Sequence, residues 1–115
     1  MRKTLIIDGQ KVELKSTGAI AKRYKFIFGK DYFAEVMRLA PLTKMDLENL
    51  DSMDYSLLDM EVFYNFIYIL ALTADPALPN QMDWLDSFDE FPIMELIPEI
   101  QDILLHSMQS NRKKM

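Results

Sequence analysis

The sequence predicts an α+β fold, mainly α, in which an N-terminal β-hairpin packs on a compact bundle of about four to six helices. Three observations predict it. Asp8-Gly9 divides Thr4-Leu5-Ile6-Ile7 from Gln10-Lys11-Val12-Glu13-Leu14-Lys15, and such a pair supplies the two positive-φ residues of a type I′ hairpin turn. Apolar residues recur at helical spacing from Ala19 onward. The chain has 115 residues, 50% of them hydrophobic, a length and composition suited to one compact domain. Residues 1–109 read as that domain, with the hairpin at 4–15 and helices within 18–109. Residues 110–115 read as a flexible basic tail.

Each element has its own reason. Val12 and Leu14 alternate with charged residues, so the second strand has one wet face. A lone hairpin is marginal in water; this one must pack on helices or pair with another chain. Ser16-Thr17 offers an N-cap for a helix over Ala19–Phe28, with Ile20, Tyr24, Ile27 and Phe28 as its apolar positions and Gly29 as its stop. Asp31 caps the next helix, which Pro41 ends. Thr43 caps a short turn reaching Leu50, and 51–54 form a polar linker. Asp54 or Ser56 opens the main helix, which runs to about Ala74. Its second half is apolar nearly all round, the mark of a helix enclosed by others. Two prolines make 75–80 a loop. A short helix follows within Met82–Phe91, and the last runs from about Pro92 to Ser107, with Pro98 expected to kink or divide it.

Composition excludes much chemistry. The chain has no cysteine, so it holds no disulfide framework, thiolate nucleophile or Cys-ligated zinc. His106 stands alone and reads as a surface residue. Asp83, Asp86, Asp89 and Glu90 lack the alternation and the glycine of a calcium loop, and Trp84 and Phe88 stand between them. Gly9, Gly18 and Gly29 form no phosphate-cradling loop. The expectation is a protein that is not an enzyme and takes no cofactor and no metal.

Charge is unevenly spread. The net charge of −5 hides eight Lys/Arg against two acids over residues 1–30, then sixteen acids against Arg38 and Lys44 over 31–109. Such an acidic body repels phosphate, which argues against a nucleic-acid partner. Its acids either solvate helix faces or receive a basic or apolar partner, a neighbouring copy included. In that last case Lys22, Arg23 and Lys25 are the candidate residues for self-association. No apolar run is long enough to span a bilayer, and Met1-Arg2-Lys3 leads into no signal-peptide core, so no membrane partner is expected.

Nine methionines are many for this length. Methionine suits irregular core gaps or a surface that accepts varied apolar partners. Met60 and Met94 fall on core stripes. Met37, Met45, Met53, Met82 and Met108 are the candidates for a partner surface, together with Trp84 and Phe88.

Several stretches together resemble one family. Leu-Ile-Ile-Asp-Gly-Gln-Lys-Val-Glu-Leu-Lys (5–15) leads to Tyr-Lys-Phe-Ile-Phe-Gly-Lys-Asp (24–31). Ala-Leu-Thr-Ala-Asp-Pro (71–76) ends an aromatic helix, followed by Trp84-Leu85-Asp86-Ser87-Phe88 and Leu-Ile-Pro-Glu-Ile (96–100). In this layout the chain is similar to the small tail assembly chaperones of long-tailed phages and prophages of Gram-positive bacteria. The likeness covers nearly the whole chain through pattern, with no catalytic signature. It implies a chaperone in the host bacterial cytoplasm that binds the tape measure protein, keeps it soluble while the tail forms, and is absent from the mature tail. It also implies a tail tube partner reached through a frameshifted, extended form. Two other classes stay open: a small phage regulatory or inhibitory protein that binds a basic host surface, and a structural head–tail connector component.

Overall fold

Two strands and five helices form in chain order within residues 1–38 and 60–113, which the computed structural model describes apart from the side chains at 37, 38, 60, 105 and 107–113. They are β1 (Arg2–Ile7), β2 (Gln10–Lys15), α1 (Ile20–Phe28), α2 (Tyr32–Arg38), α3 (Met60–Ala74), α4 (Gln81–Asp86) and α5 (Ile93–Lys113). The expected turn at 43–50, the linker at 51–54 and the opening of the main helix before Met60 lie outside the described residues.

The hairpin is as the sequence reads. Asp8 and Gly9 both have positive φ, 52° and 75°, and the antiparallel register sets Leu5 opposite Val12 and Ile7 opposite Gln10. Leu5, Ile7, Val12 and Leu14 turn to one side and are buried. The ladder reaches three pairs beyond Thr4–Glu13, the last that a first strand starting at Thr4 allows, and ends where the main chains of Met1 and Ser16 exchange two hydrogen bonds of 2.9 and 3.1 Å. Ser16 therefore belongs to the sheet's end and does not cap α1. Ala19 holds the N-cap position without a side-chain bond, while the Thr17 hydroxyl accepts from the Ala19 N–H at 3.2 Å.

The helices pack against the apolar side of the hairpin. α3 is the central one, lying on β2, α1 and α5. Phe66, Ile67, Ile69 and Leu70 of α3 are fully buried, and Val62, Phe63, Tyr68 and Ala71 nearly so, so its apolar second half is enclosed as its composition requires. Gly29 ends α1 in the left-handed conformation at φ 71°. Asp31 Oδ2 accepts from the Ala34 N–H at 2.8 Å and caps α2. Asn80 caps α4, which stops at Asp86 and does not continue to Phe91. α5 runs through Pro98, which is exposed and does not divide it, and extends past Ser107 to Lys113.

Aromatic rings join these elements into one seam. Tyr32 meets Tyr24 at 5.5 Å between centroids, Tyr24 meets Phe28 at 4.8 Å, Phe28 meets Tyr68 at 6.4 Å and Tyr68 meets Trp84 at 5.7 Å. Trp84 then meets Phe91 at 5.8 Å, and Phe91 meets Tyr64 at 5.6 Å. All six pairs are tilted or edge-on, the geometry ring quadrupoles favour.

Candidate partner-binding surfaces

Two surfaces combine exposed apolar area with charge. The first is the outward face of α1. Ile20 and Tyr24 point into the core, so residues about half a turn away point out. Lys22, Lys25 and Phe26 hold those positions. Phe26 is 89% exposed, far more than a phenylalanine needs to be in a chain that buries most of its aromatic rings. Ile27 is also partly exposed beside it. Lys25 bends back to the Gly29 carbonyl at 3.5 Å. Arg23 sits lower on the flank, half-buried, with its Nε enclosed and without a hydrogen-bond partner among the described residues.

The second surface surrounds α4. The Asn80 side chain accepts from the Asp83 N–H at 2.9 Å and donates to the Asp83 carboxylate at 3.2 Å. Gln81 donates to the buried Asn65 of α3 at 2.9 Å, and Tyr68 donates to the Pro79 carbonyl at 2.6 Å. These bonds fix α4 so that Met82 projects, 67% exposed, beside the exposed acids Asp83 and Asp86. Trp84 turns the other way. At 5% exposure for Trp84 and 8% for Phe88, both rings belong to the aromatic seam. Each nevertheless lines a groove of about 480 Å³ between β2, the end of α3 and α4, floored also by Val12, Ala71 and Leu78.

Of the partner candidates read from the sequence, Met82 is therefore a surface residue, and Trp84 and Phe88 are groove-lining core. Met37 lies on α2 and Met108 on α5, with side chains outside the described residues; Met45 and Met53 lie outside them altogether. Lys22 and Lys25 share one face, and Arg23 stands apart from them. Phe26 is not among the candidates read from the sequence. A signal was present: Phe26 falls four residues after Lys22 and opposite the Ile20/Tyr24 stripe, where an apolar residue has no core to enter.

Burial pushes the Tyr24 hydroxyl well above the usual phenol range; nearby Asn65 opposes the shift and the Glu35 carboxylate adds to it. Burial also raises Tyr68. Neither group titrates near neutrality. Lys30 lies 3.8 Å from the buried Glu35 carboxylate. His106 is exposed. Among the described residues, no three His, Asp or Glu side chains are arranged to hold a metal, and no helix is long and apolar enough to cross a membrane.

Fold and surfaces together define a class: a small, mainly helical α+β domain that presents exposed apolar residues within charged faces. Comparison with family models, curated proteins and solved structures finds no match to this chain.

Proposed function

We propose that this protein is a tail assembly chaperone, which binds the tape measure protein of a long-tailed phage in the host cytoplasm and keeps it soluble until the tail tube forms. The observation that carries the reading is Phe26, an aromatic ring held in solvent by a capped helix, with lysines on either side. A helix whose apolar stripe is bordered by acids fits that face: its stripe covers Phe26 and Ile27, and its acids meet Lys22 and Lys25. Met82, set among acids, offers a second, adaptable apolar contact. An inhibitory protein that binds a basic host surface needs clustered acids alone and gains nothing from an exposed phenylalanine, so the chaperone reading accounts for more of the surface.

Co-expression with the tape measure protein of the same phage tests the proposal. The native chain is expected to keep that client in the soluble fraction. Phe26→Asp is expected to leave it in inclusion bodies while the variant's own circular dichroism stays unchanged. If the client is equally insoluble with and without the native chain, the reading fails. Purified virions discriminate the connector alternative, since a chaperone is missing from them and a structural component is retained.

A further inference from the structure

We propose that the outer edge of β2 is a strand-addition site for an extended segment of another protein, apolar at alternate positions and basic at its ends. The register shows that this edge has main-chain groups to offer. In an antiparallel pair, opposed residues alternate between exchanging two hydrogen bonds and exchanging none. Met1 and Ser16 exchange both, so Lys3–Leu14, Leu5–Val12 and Ile7–Gln10 are the other bonded pairs. The N–H and C=O groups of Lys11, Glu13 and Lys15 therefore point away from β1. Among the described residues the sheet has only two strands, no third strand takes these groups up, and no hydrogen bond from them closes that edge.

The edge does not face open solvent. Lys11 and Glu13 border the groove of about 480 Å³, with Val12, Ala71, Leu78 and Pro79 below and Trp84 and Phe88 on the far side. A strand laid along β2 would satisfy the outward groups and direct every second side chain into this apolar trough, the two parts of strand-addition recognition. Its ends would meet carboxylates. Asp75 lines the rim and Asp83 and Asp86 stand exposed on the adjoining helix, while Glu13 on the edge is paired with Arg2 at 3.4 Å. A second copy docking edge to edge would set this acidic rim against itself, because an isologous contact repeats one patch on both sides. A basic segment meets no such repulsion.

The site carries its own reporter, since Trp84 is the only tryptophan of the chain. The probe is a capped Lys-Thr-Val-Thr-Val-Thr-Lys peptide, which has no aromatic residue. Titration into the native protein is expected to change Trp84 fluorescence saturably. The same peptide N-methylated at the amides that face β2 is expected to bind about tenfold more weakly, from the loss of one or two hydrogen bonds. Lys11→Pro removes an outward N–H without touching the β1–β2 ladder and is expected to weaken binding similarly, whereas Lys11→Ala keeps the N–H and binds as before. Equal binding of the two peptides, or no saturable signal, overturns the proposal. A dimer in sedimentation that Lys11→Pro dissociates also overturns it, in favour of a second copy as occupant. If Lys11→Pro does not fold, the N-methyl comparison on the native chain decides alone. The site is independent of α1, so Phe26→Asp should leave this titration unchanged, and the chaperone reading can fail without it.

Discussion

At the scale of single residues, burial of the Tyr24 and Tyr68 hydroxyls makes stability depend on pH, and Tyr24 has the larger share. Tyr24 is enclosed, with Asn65 and Glu35 beside its hydroxyl. Its folded-state value is raised above the unfolded one, so the stabilisation is complete below an ordinary tyrosine pKa of about 10 and is lost as pH rises beyond it. Thermal stability should therefore fall above that pH, with tyrosinate absorbance appearing together with unfolding, and Tyr24→Phe should flatten the decline. Asn65 is read the same way. Asn65→Ala strands the Gln81 amide and should cost about 1–3 kcal/mol in urea unfolding, more than its lost contact area implies. The sequence announced neither effect, because nothing local tells which tyrosine or asparagine the tertiary packing will enclose. Phe26 is the opposite case. Its exposure was legible from helix geometry alone, since the buried stripe runs through Ile20 and Tyr24.

Elements show where local rules decide and where they yield. Positions that demand positive φ were readable: Asp8-Gly9 makes the hairpin turn and Gly29 ends α1. A Cβ at Gly29 would meet nothing within 4 Å, so Gly29→Ala tests backbone conformation free of any clash. It should cost about 1 kcal/mol in chemical denaturation, and a much larger loss would mean that a hidden packing role had been missed. The ends of α4 and α5 were harder to read. α4 stops at Asp86 because the Ser87 and Phe88 amides bond the Trp84 and Leu85 carbonyls in a tight turn, which folds Phe88 back onto Trp84 at 5.4 Å. No spacing in the sequence separates that turn from one more helical step. Ser16 likewise looked like a cap and became part of the ladder, drawn there by Met1 across the strand pair.

For the whole molecule, charge is partly spent inside the chain. Lys3 lies 3.3 Å from Asp102 and 3.6 Å from Glu99, so the basic head and acidic body already meet where β1 crosses α5. These carboxylates are mostly exposed, and such pairs contribute about 1 kcal/mol or less. Lys3→Ala should therefore lower stability slightly, with the difference shrinking as salt is added. Arg2 is similarly taken up by Glu13 at 3.4 Å. Lys22 and Lys25 form no such pair among the described residues, and they remain the groups available for the stacking of copies expected from the charge split. If copies stack through them, Lys22→Gln with Lys25→Gln should reduce the sedimentation coefficient at low salt and have no effect at high salt. A native chain whose sedimentation ignores ionic strength would discard that mode of assembly.

The packing of β2 on α3 also sets a timetable. The hairpin leaves the ribosome before α3, the helix packed on β2, whose described part starts at Met60, well beyond the end of β2 at Lys15. Synthesis proceeds at about 5–20 residues per second, so for some seconds the nascent chain carries an uncovered apolar sheet face that it cannot yet bury by itself. During that interval the N-terminal segment is itself in need of shelter. A ribosome-bound chain stalled before α3 has left the exit tunnel should be readily degraded by protease, and one stalled after α5 has emerged should resist.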